Sequence, residues 1–284
     1  MEIREMLQKA KAQFGSLDRS EVDAEHLLAH ILGLSRMDLH NSVKVEKAVA
    51  EFEEESDIEE NFAALCTRRL NGEPLQYITG VAYFHNLTLQ VGPGVLVPRP
   101  ETELLVESIL THLKSSTRPI SVIDLGSGSG AIALAIATQI PTARVVAVEN
   151  DSEALIWLRR NCENADVEVR IVAEDVATAL SGVQADVVVA NPPYVPNNQV
   201  LPIDVLSFEP HVAIFGGKDG LEIPRIFIDA AARLLKPGGL FVIEHGEGQR
   251  DAIRQKMSEN FIEIKNHDDL NHRPRWSSAQ RRPA

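Results

Sequence analysis

The sequence predicts an α/β fold: a mostly parallel sheet covered by helices on both faces, preceded by a small N-terminal helical bundle and a β-hairpin linker. Three observations carry the prediction. Apolar residues keep helical spacing up to about residue 70, residues 73–98 change to partial alternation, and from about residue 102 short apolar runs take turns with helical patterns. Strand–helix alternation of the last kind is what parallel strands joined by crossover helices produce. The expected boundaries are 1–72 for the bundle, 73–98 for the hairpin and 99–284 for the α/β domain.

In the bundle, Ile3, Met6, Leu7, Ala10 and Phe14 share one helical face and Gly15 stops it. Ser20 is placed to cap a second helix, with Asp23 completing an approximate capping box, and Ala24, Leu27, Leu28, Ile31 and Leu32 form its apolar face. The acidic run Glu51–Glu60 reads as a solvated helix face, and Leu65–Leu70 runs on to an Asn71-Gly72 turn. Tyr83–Val91 alternates in part, and Gly92-Pro93-Gly94 ends it. Strands are expected at Ser121–Leu125, Arg144–Glu149, Glu168–Val172, Asp186–Ala190 and Leu240–Glu244, with helices near Gly130–Gln139, Ser152–Asn164 and Ile223–Leu235 between them. The segments Ile262–Lys265 and Arg275–Ser278 are candidate edge strands.

Composition narrows the function class. At 284 residues with 44% hydrophobic and 24% charged residues, the chain is an ordinary globular enzyme in make-up. No apolar stretch reaches the ~18 residues of a membrane span. Met1–Glu5 lacks a signal peptide's basic start and apolar core, so a cytoplasmic protein is expected. Cys66 and Cys162 sit in helical patterns without metal-ligand spacing and read as buried thiols. A net charge of −13 argues against a dedicated nucleic-acid surface. One candidate for a local basic patch, the stretch with Arg273, Arg275, Arg281 and Arg282, reads by default as a solvated terminus, with a contact to RNA or an acidic partner as the alternative.

Asp124-Leu125-Gly126-Ser127-Gly128-Ser129-Gly130 follows the first strand of the α/β domain and opens an Ala/Ile/Leu helix. Glycines allow a tight turn and close approach to a ligand, and the helix start turns free N–H groups and the positive dipole end toward an anion. Alone, the loop leaves NAD open, since Ala131 can fill the last place of a dinucleotide fingerprint. Glu149, ending the next strand, stands where a ribose is gripped by its vicinal hydroxyls. Asp175, after the third strand, is placed either to accept from an adenine amino group or to cap a helix near Val176–Leu180.

Asn191-Pro192-Pro193-Tyr194 follows the fourth strand. Asn191 offers a side-chain carbonyl, Pro192 a backbone carbonyl held by the ring after it, and Tyr194 a flat face. Two acceptors and a stacking surface make a receptor for a planar NH₂ group. No hydride-transfer residue set is visible there, whereas a methyl transfer needs a nucleophile held in line with a sulfonium.

The two motifs together resemble those of class I S-adenosylmethionine-dependent amino-methyltransferases. The longer pattern, Ala24–Gly33, Gly72–Gly80, Val97–Glu103, Glu209-Pro210, Gly216–Leu221 and Asn271–Trp276, resembles the HemK/PrmC family of peptide chain release factor glutamine methyltransferases. That resemblance implies a Rossmann-like, mostly parallel seven-stranded sheet. It implies S-adenosylmethionine as cofactor, released as S-adenosylhomocysteine, and places Asp124, Gly126, Ser127, Gly128, Ser129, Gly130, Glu149, Asp175, Val176 and Asn191 around it. Serines stand between the glycines where the family often has Thr or Cys, and Glu149 stands where Asp is common. Val176 replaces an aromatic found beside the adenine in some members, which weakens stacking.

The implied substrate is the glutamine of the Gly-Gly-Gln tip of class-1 release factors, entering a cleft lined by residues 191–220 while the N-terminal domain holds the partner's body. Asn191 and the Pro192 carbonyl would each accept one amide N–H, Tyr194 would pack on the amide plane, and Pro193 would stiffen the loop. Alignment of this kind lowers a barrier by about 7–11 kcal/mol when it reaches a near-attack geometry. The transfer calls for no metal and no tuned base, so His211 and His245 read as packing residues; Glu244 and Arg99 border the site without a role. A monomer with no stable nucleic-acid binding is expected. The rivals are an adenine amino-methyltransferase, which would need basic surface and a flipped base, and a non-catalytic cofactor-binding protein.

Overall fold

The structure, a computed structural model, describes residues 3–15, 20–52, 55–114 and 118–283. They form two compact units: residues 1–80 with 202–208, and residues 81–201 with 209–284. The hairpin thus belongs to the α/β unit, and a seven-residue piece of the later chain belongs to the helical one.

The first unit contains α1 (Ile3–Gln13), α2 (Ser20–Ile31), α3 (Ser42–Val49), α4 (Glu55–Leu70) and α5 (Leu75–Thr79). Their apolar stripes close on one core that includes Met6, Phe14, Leu27, Leu28, Phe62 and Ile78. Any cap made by the Ser20 side chain, and the acidic face across 53–56, lie outside the described residues. Asp23 is buried and accepts a hydrogen bond from Arg69 Nε at 2.7 Å. Gly72 (φ +90°) packs so closely that an added Cβ would touch Ile203 and Phe208, which the later chain inserts here.

The second unit begins with the hairpin β1 (Val81–Phe84) and β2 (Leu87–Gln90), followed by α6 (Glu103–Leu113). Then come β3 (Ser121–Leu125), α7 (Ala131–Gln139), β4 (Arg144–Val148), α8 (Ser152–Glu163), β5 (Val169–Val172) and β6 (Ala185–Ala190). After α9 (Ile203–Phe208), the piece lent to the first unit, the chain completes the fold with α10 (Glu222–Leu234), β7 (Leu235–Glu244), α11 (Arg250–Met257), β8 (Phe261–Asp268) and β9 (Pro274–Arg281). The seven-stranded sheet has the order β5-β4-β3-β6-β7-β9-β8, with only β9 antiparallel to its neighbours. Side chains alternate across it: Val122, Val187 and Val189 face α6, α7 and α8, while Ile123, Val188 and Ala190 face α10 and α11. Helix α7 is buried from Ala131 to Ala137, which explains its lack of a polar face.

Three expectations are corrected. Val176–Leu180 forms a turn instead of a helix. Leu180 takes φ +56°, and the Arg233 guanidinium donates to the carbonyls of Val176 and Ala179 at 3.2 and 2.8 Å, pinning the segment as one turn. The basic C-terminal stretch is not a solvated tail. It is β9, paired to both β7 and β8; Arg281 donates to the carbonyls of Ala232 and Asn260, and Arg282 to that of Ser258. Of the two candidate edge strands, only β8 is an edge, since β9 lies inside.

The thiols of Cys66 and Cys162 are both pushed up to about 11 by burial. His245 is fully buried, with Nδ1 against the Gly246 carbonyl and Nε2 against Ser277 Oγ, and His211 meets the Phe215 ring edge-on. Among the described residues, no helix is long and apolar enough to cross a membrane.

Candidate active site

Within the second unit, a cavity of about 410 Å³ opens at the carboxyl ends of β3, β4, β5 and β6. This is the crevice where open parallel sheets collect ligands. Its wall includes Gly126–Ser129, Glu149–Asp151, Asp175, Val176, Asn191 and Pro193, closed on the apolar side by Ile223, Ile226 and Phe227.

The glycine loop turns because Gly126, Gly128 and Gly130 take φ of +67°, +54° and +84°. Gly126 and Ser127 donate to the Val148 carbonyl at 2.9 and 3.0 Å, stitching the loop to β4. Glu149 completes the join: its Oε2 accepts from the Gly128 amide at 2.9 Å, and its Oε1 from the Asn150 and Asp151 amides. Asn161 on α8 ties the hairpin to the same loop, exchanging bonds with the Gln90 backbone and donating to the Ser129 carbonyl at 2.9 Å.

Two of the residues expected at the cofactor sit beneath the wall and do not line it. Asp124 is 1% exposed; its Oδ2 accepts from the Ala133 amide, its Oδ1 has no partner, and burial pushes its carboxyl up to about 7. Gly130 faces α8, where an added Cβ would lie 2.7 Å from Leu158. Asp175 Oδ1 accepts from the Ala177 amide and so caps a turn where a helix was expected, and the residue also lines the cavity.

The Asn191–Tyr194 motif leaves β6 with Asn191 and Pro193 on the cavity wall, while Pro192 and Tyr194 are not part of that wall. Asn191 Nδ2 donates to Thr102 Oγ1 at 3.1 Å, and Thr102 donates to Glu244 Oε2 at 2.7 Å. Tyr194 donates its hydroxyl to Glu244 Oε1 at 3.1 Å. Burial raises the Glu244 carboxyl and, first among several causes, holds the Tyr194 phenol in its protonated form. Behind the motif, Gln249 Nε2 donates to the Tyr194 carbonyl at 2.8 Å, and an added Cβ on Gly220 would lie 2.2 Å from that oxygen.

Thr102, Glu244, Gln249 and Asn150 are the site residues that sequence reasoning left without a role. Their signal was position alone: Glu244 ends an apolar strand, and Thr102 sits in the Arg99–Glu103 segment. That segment is itself fastened, since Glu209 accepts from Arg99 and from the Val97 amide.

Residues 5–80 match the PrmC N-terminal domain, and residues 100–205 match the methyltransferase small domain. The release factor glutamine methyltransferase of Streptomyces coelicolor is 40% identical over 268 residues, covering 91% of this chain and 90% of that one. The chain belongs to the release factor glutamine methyltransferase family. Other members at similar distance include those of Mycolicibacterium smegmatis, 38% identical over 92% of this chain and 90% of its own, and Moorella thermoacetica, 37% over 89% of each. Among solved structures, a 16S rRNA methyltransferase of T. thermophilus in complex with AdoMet and guanosine is similar, with a TM-score of 0.54 and 25% identity, covering 71% of this chain and 50% of that one. A methyltransferase of Pyrococcus furiosus shares the fold, with a TM-score of 0.52 and 20% identity over 77% of this chain and 98% of that one. This member of the family is a methyltransferase with a class I, Rossmann-like α/β unit.

Proposed function

We propose that the chain methylates the side-chain amide nitrogen of the glutamine in the Gly-Gly-Gln motif of class-1 peptide chain release factors, drawing the methyl group from S-adenosylmethionine. The observation that carries the reading is the Asn191 side chain: its nitrogen is engaged by Thr102, which leaves its carbonyl as the group offered to an incoming N–H. A carbonyl acceptor at the end of a cofactor cavity suits a substrate with a hydrogen to donate, such as an amide NH₂, and not an ionised carboxylate.

The cavity fits the cofactor by size and by chemistry. Sites for small molecules run from about 300 to 1,000 Å³, and this one has acceptors for hydroxyl and amino groups in Glu149 and Asp175 beside apolar walls from Val176 and Phe227. When bound, S-adenosylmethionine supplies an electrophilic methyl carbon on a sulfonium. The chain's own residues hold and aim the acceptor: Asn191 and the Pro192 carbonyl take one N–H each, Pro193 stiffens the loop, and Tyr194 backs it. An amide nitrogen is a poor nucleophile because its lone pair is delocalised into the carbonyl; held this way it is aimed along the line of displacement, which lowers the entropic part of the barrier.

Incubation with labelled S-adenosylmethionine and a class-1 release factor tests the proposal. Label on the factor is expected, and it should vanish when the Gly-Gly-Gln glutamine is changed to Ala and when the enzyme carries Asn191→Ala. Label on DNA or RNA with none on the factor would overturn the reading in favour of an adenine acceptor.

A further inference from the structure

We propose that Thr102 and Glu244 are positioning residues that lock the orientation of the Asn191 amide, so that only its carbonyl oxygen is offered to the substrate. The argument is one of hydrogen count along a buried chain. Thr102 and Glu244 are 4% and 1% exposed, so no solvent competes for their bonds. Burial raises the Glu244 carboxyl, while the Thr102 and Tyr194 hydroxyls and the Arg275 charge favour its ionised form, and both of its oxygens act as acceptors. Each oxygen receives a hydroxyl, from Thr102 at 2.7 Å and from Tyr194 at 3.1 Å.

Thr102 has a single hydroxyl hydrogen, and it is committed to Glu244. What remains toward Asn191 is lone pairs alone, which accept from Nδ2 at 3.1 Å and would repel Oδ1. A flipped Asn191 would set oxygen against oxygen inside the protein and present NH₂ to the substrate's NH₂. The carboxylate thereby controls both ends of the Asn191–Tyr194 motif through two hydroxyls. An amide alone does not know which way to face; the direction comes from Glu244.

The inference rests on the amide-acceptor reading above, and the tests separate the two. Thr102→Val keeps the shape and removes the relay; it should lower kcat about 10- to 100-fold, the equivalent of losing one hydrogen bond to a charged chain. Thr102 also lines the cavity, so S-adenosylmethionine affinity, measured by calorimetry, is read beside kcat; with the Glu149 bonds untouched and the shape kept, it should change far less than kcat. Thr102→Ser restores the hydroxyl and should recover most of the loss. Glu244→Gln, nearly the same size, can turn its NH₂ toward Thr102 and reverse the relay, so its kcat should fall at least as far as that of Thr102→Val.

A readout without turnover completes the set. The Asn191 side-chain NH₂ signals in a ¹⁵N spectrum should show one slowly exchanging proton, lost in Thr102→Val. Equal activity in Thr102→Val and the parent, or a Thr102→Ser variant as impaired as Thr102→Val, would overturn the lock. If Glu244→Gln does not fold, the Val/Ser pair at 102 and the NH₂ signal decide the matter. A slowly exchanging proton in a parent protein that labels no release factor would instead leave the lock standing and sink the substrate assignment.

Discussion

Glu149 Oε2 accepts a hydrogen bond from the Gly128 amide at 2.9 Å, so the acid at the end of one strand holds the glycine loop at the end of its neighbour. Its other oxygen takes two more backbone N–H groups, those of Asn150 and Asp151. The shape of the loop therefore depends on one carboxylate, which also lines the cavity. Glu149→Gln, which replaces an acceptor by a donor, should weaken S-adenosylmethionine binding about 10- to 100-fold, in line with losing charged hydrogen bonds of ~1.5–3 kcal/mol. Calorimetry checks this, and an unchanged Kd would remove Glu149 from the cofactor site.

At Gly220 the backbone takes φ +72°, and an added Cβ would meet the Tyr194 carbonyl at 2.2 Å and Gln249 Nε2 at 2.6 Å. Gly220→Ala is expected to displace the loop after the motif and cut methyl transfer by more than about tenfold, beyond the ~1–2 kcal/mol cost of the left-handed conformation itself. The glycine loop is not involved, so cofactor affinity should hold. Paired measurements of kcat and S-adenosylmethionine Kd separate these effects.

Asp124 gives a pH-dependent signature. Its folded carboxyl keeps a proton to about 7, against an ordinary value of 3.8, because burial penalises the charge. A raised folded value means that the unfolded chain releases the proton first. This group's contribution to stability is therefore present below pH 3.8 and is lost as pH rises toward about 7. Asp124→Asn keeps an acceptor for the Ala133 amide and carries no charge. Its Tm relative to the parent should rise between pH 5 and pH 7.5; a constant difference would show that Asp124 does not titrate there.

Arg281 donates to the Ala232 carbonyl at 2.8 Å and the Asn260 carbonyl at 2.7 Å. Arg281→Ala removes the side-chain donor from both carbonyls, of which that of Asn260 keeps the Arg282 amide at 3.0 Å, and should cost about 1–3 kcal/mol, or several degrees in Tm. If Arg281 instead served a nucleic-acid contact, its loss would leave Tm unchanged and weaken RNA retention on a filter.

The cofactor side of the site was legible from sequence because its parts are consecutive: a strand, three glycines with positive φ, a helix, and an acid ending the next strand. The Asn191–Tyr194 motif was legible for the same reason. Its support was not. Thr102 and Asn191 are 89 positions apart, Thr102 and Glu244 are 142 apart, and only the placement of β7 beside β6 brings them together. Two misreadings share that cause: the turn at Val176 is set by Arg233 from α10, and in β9 Arg281 donates to distant carbonyls while Arg275 pairs with Asp269, partners that local sequence does not reveal. Asp124 and Gly130, expected at the cofactor, sit one layer beneath the cavity wall and hold the loop that forms it.

The seven residues from Pro202 to Phe208 interrupt one unit to complete the other. For inheritance this makes the helical unit a two-part module. A recombination crossover near residue 80 between two diverged relatives would bring one parent's Gly72 against the other parent's Ile203 and Phe208. Chimeras that exchange the N-terminal region should keep this contact when the short distal stretch travels with it, and lose stability when it does not.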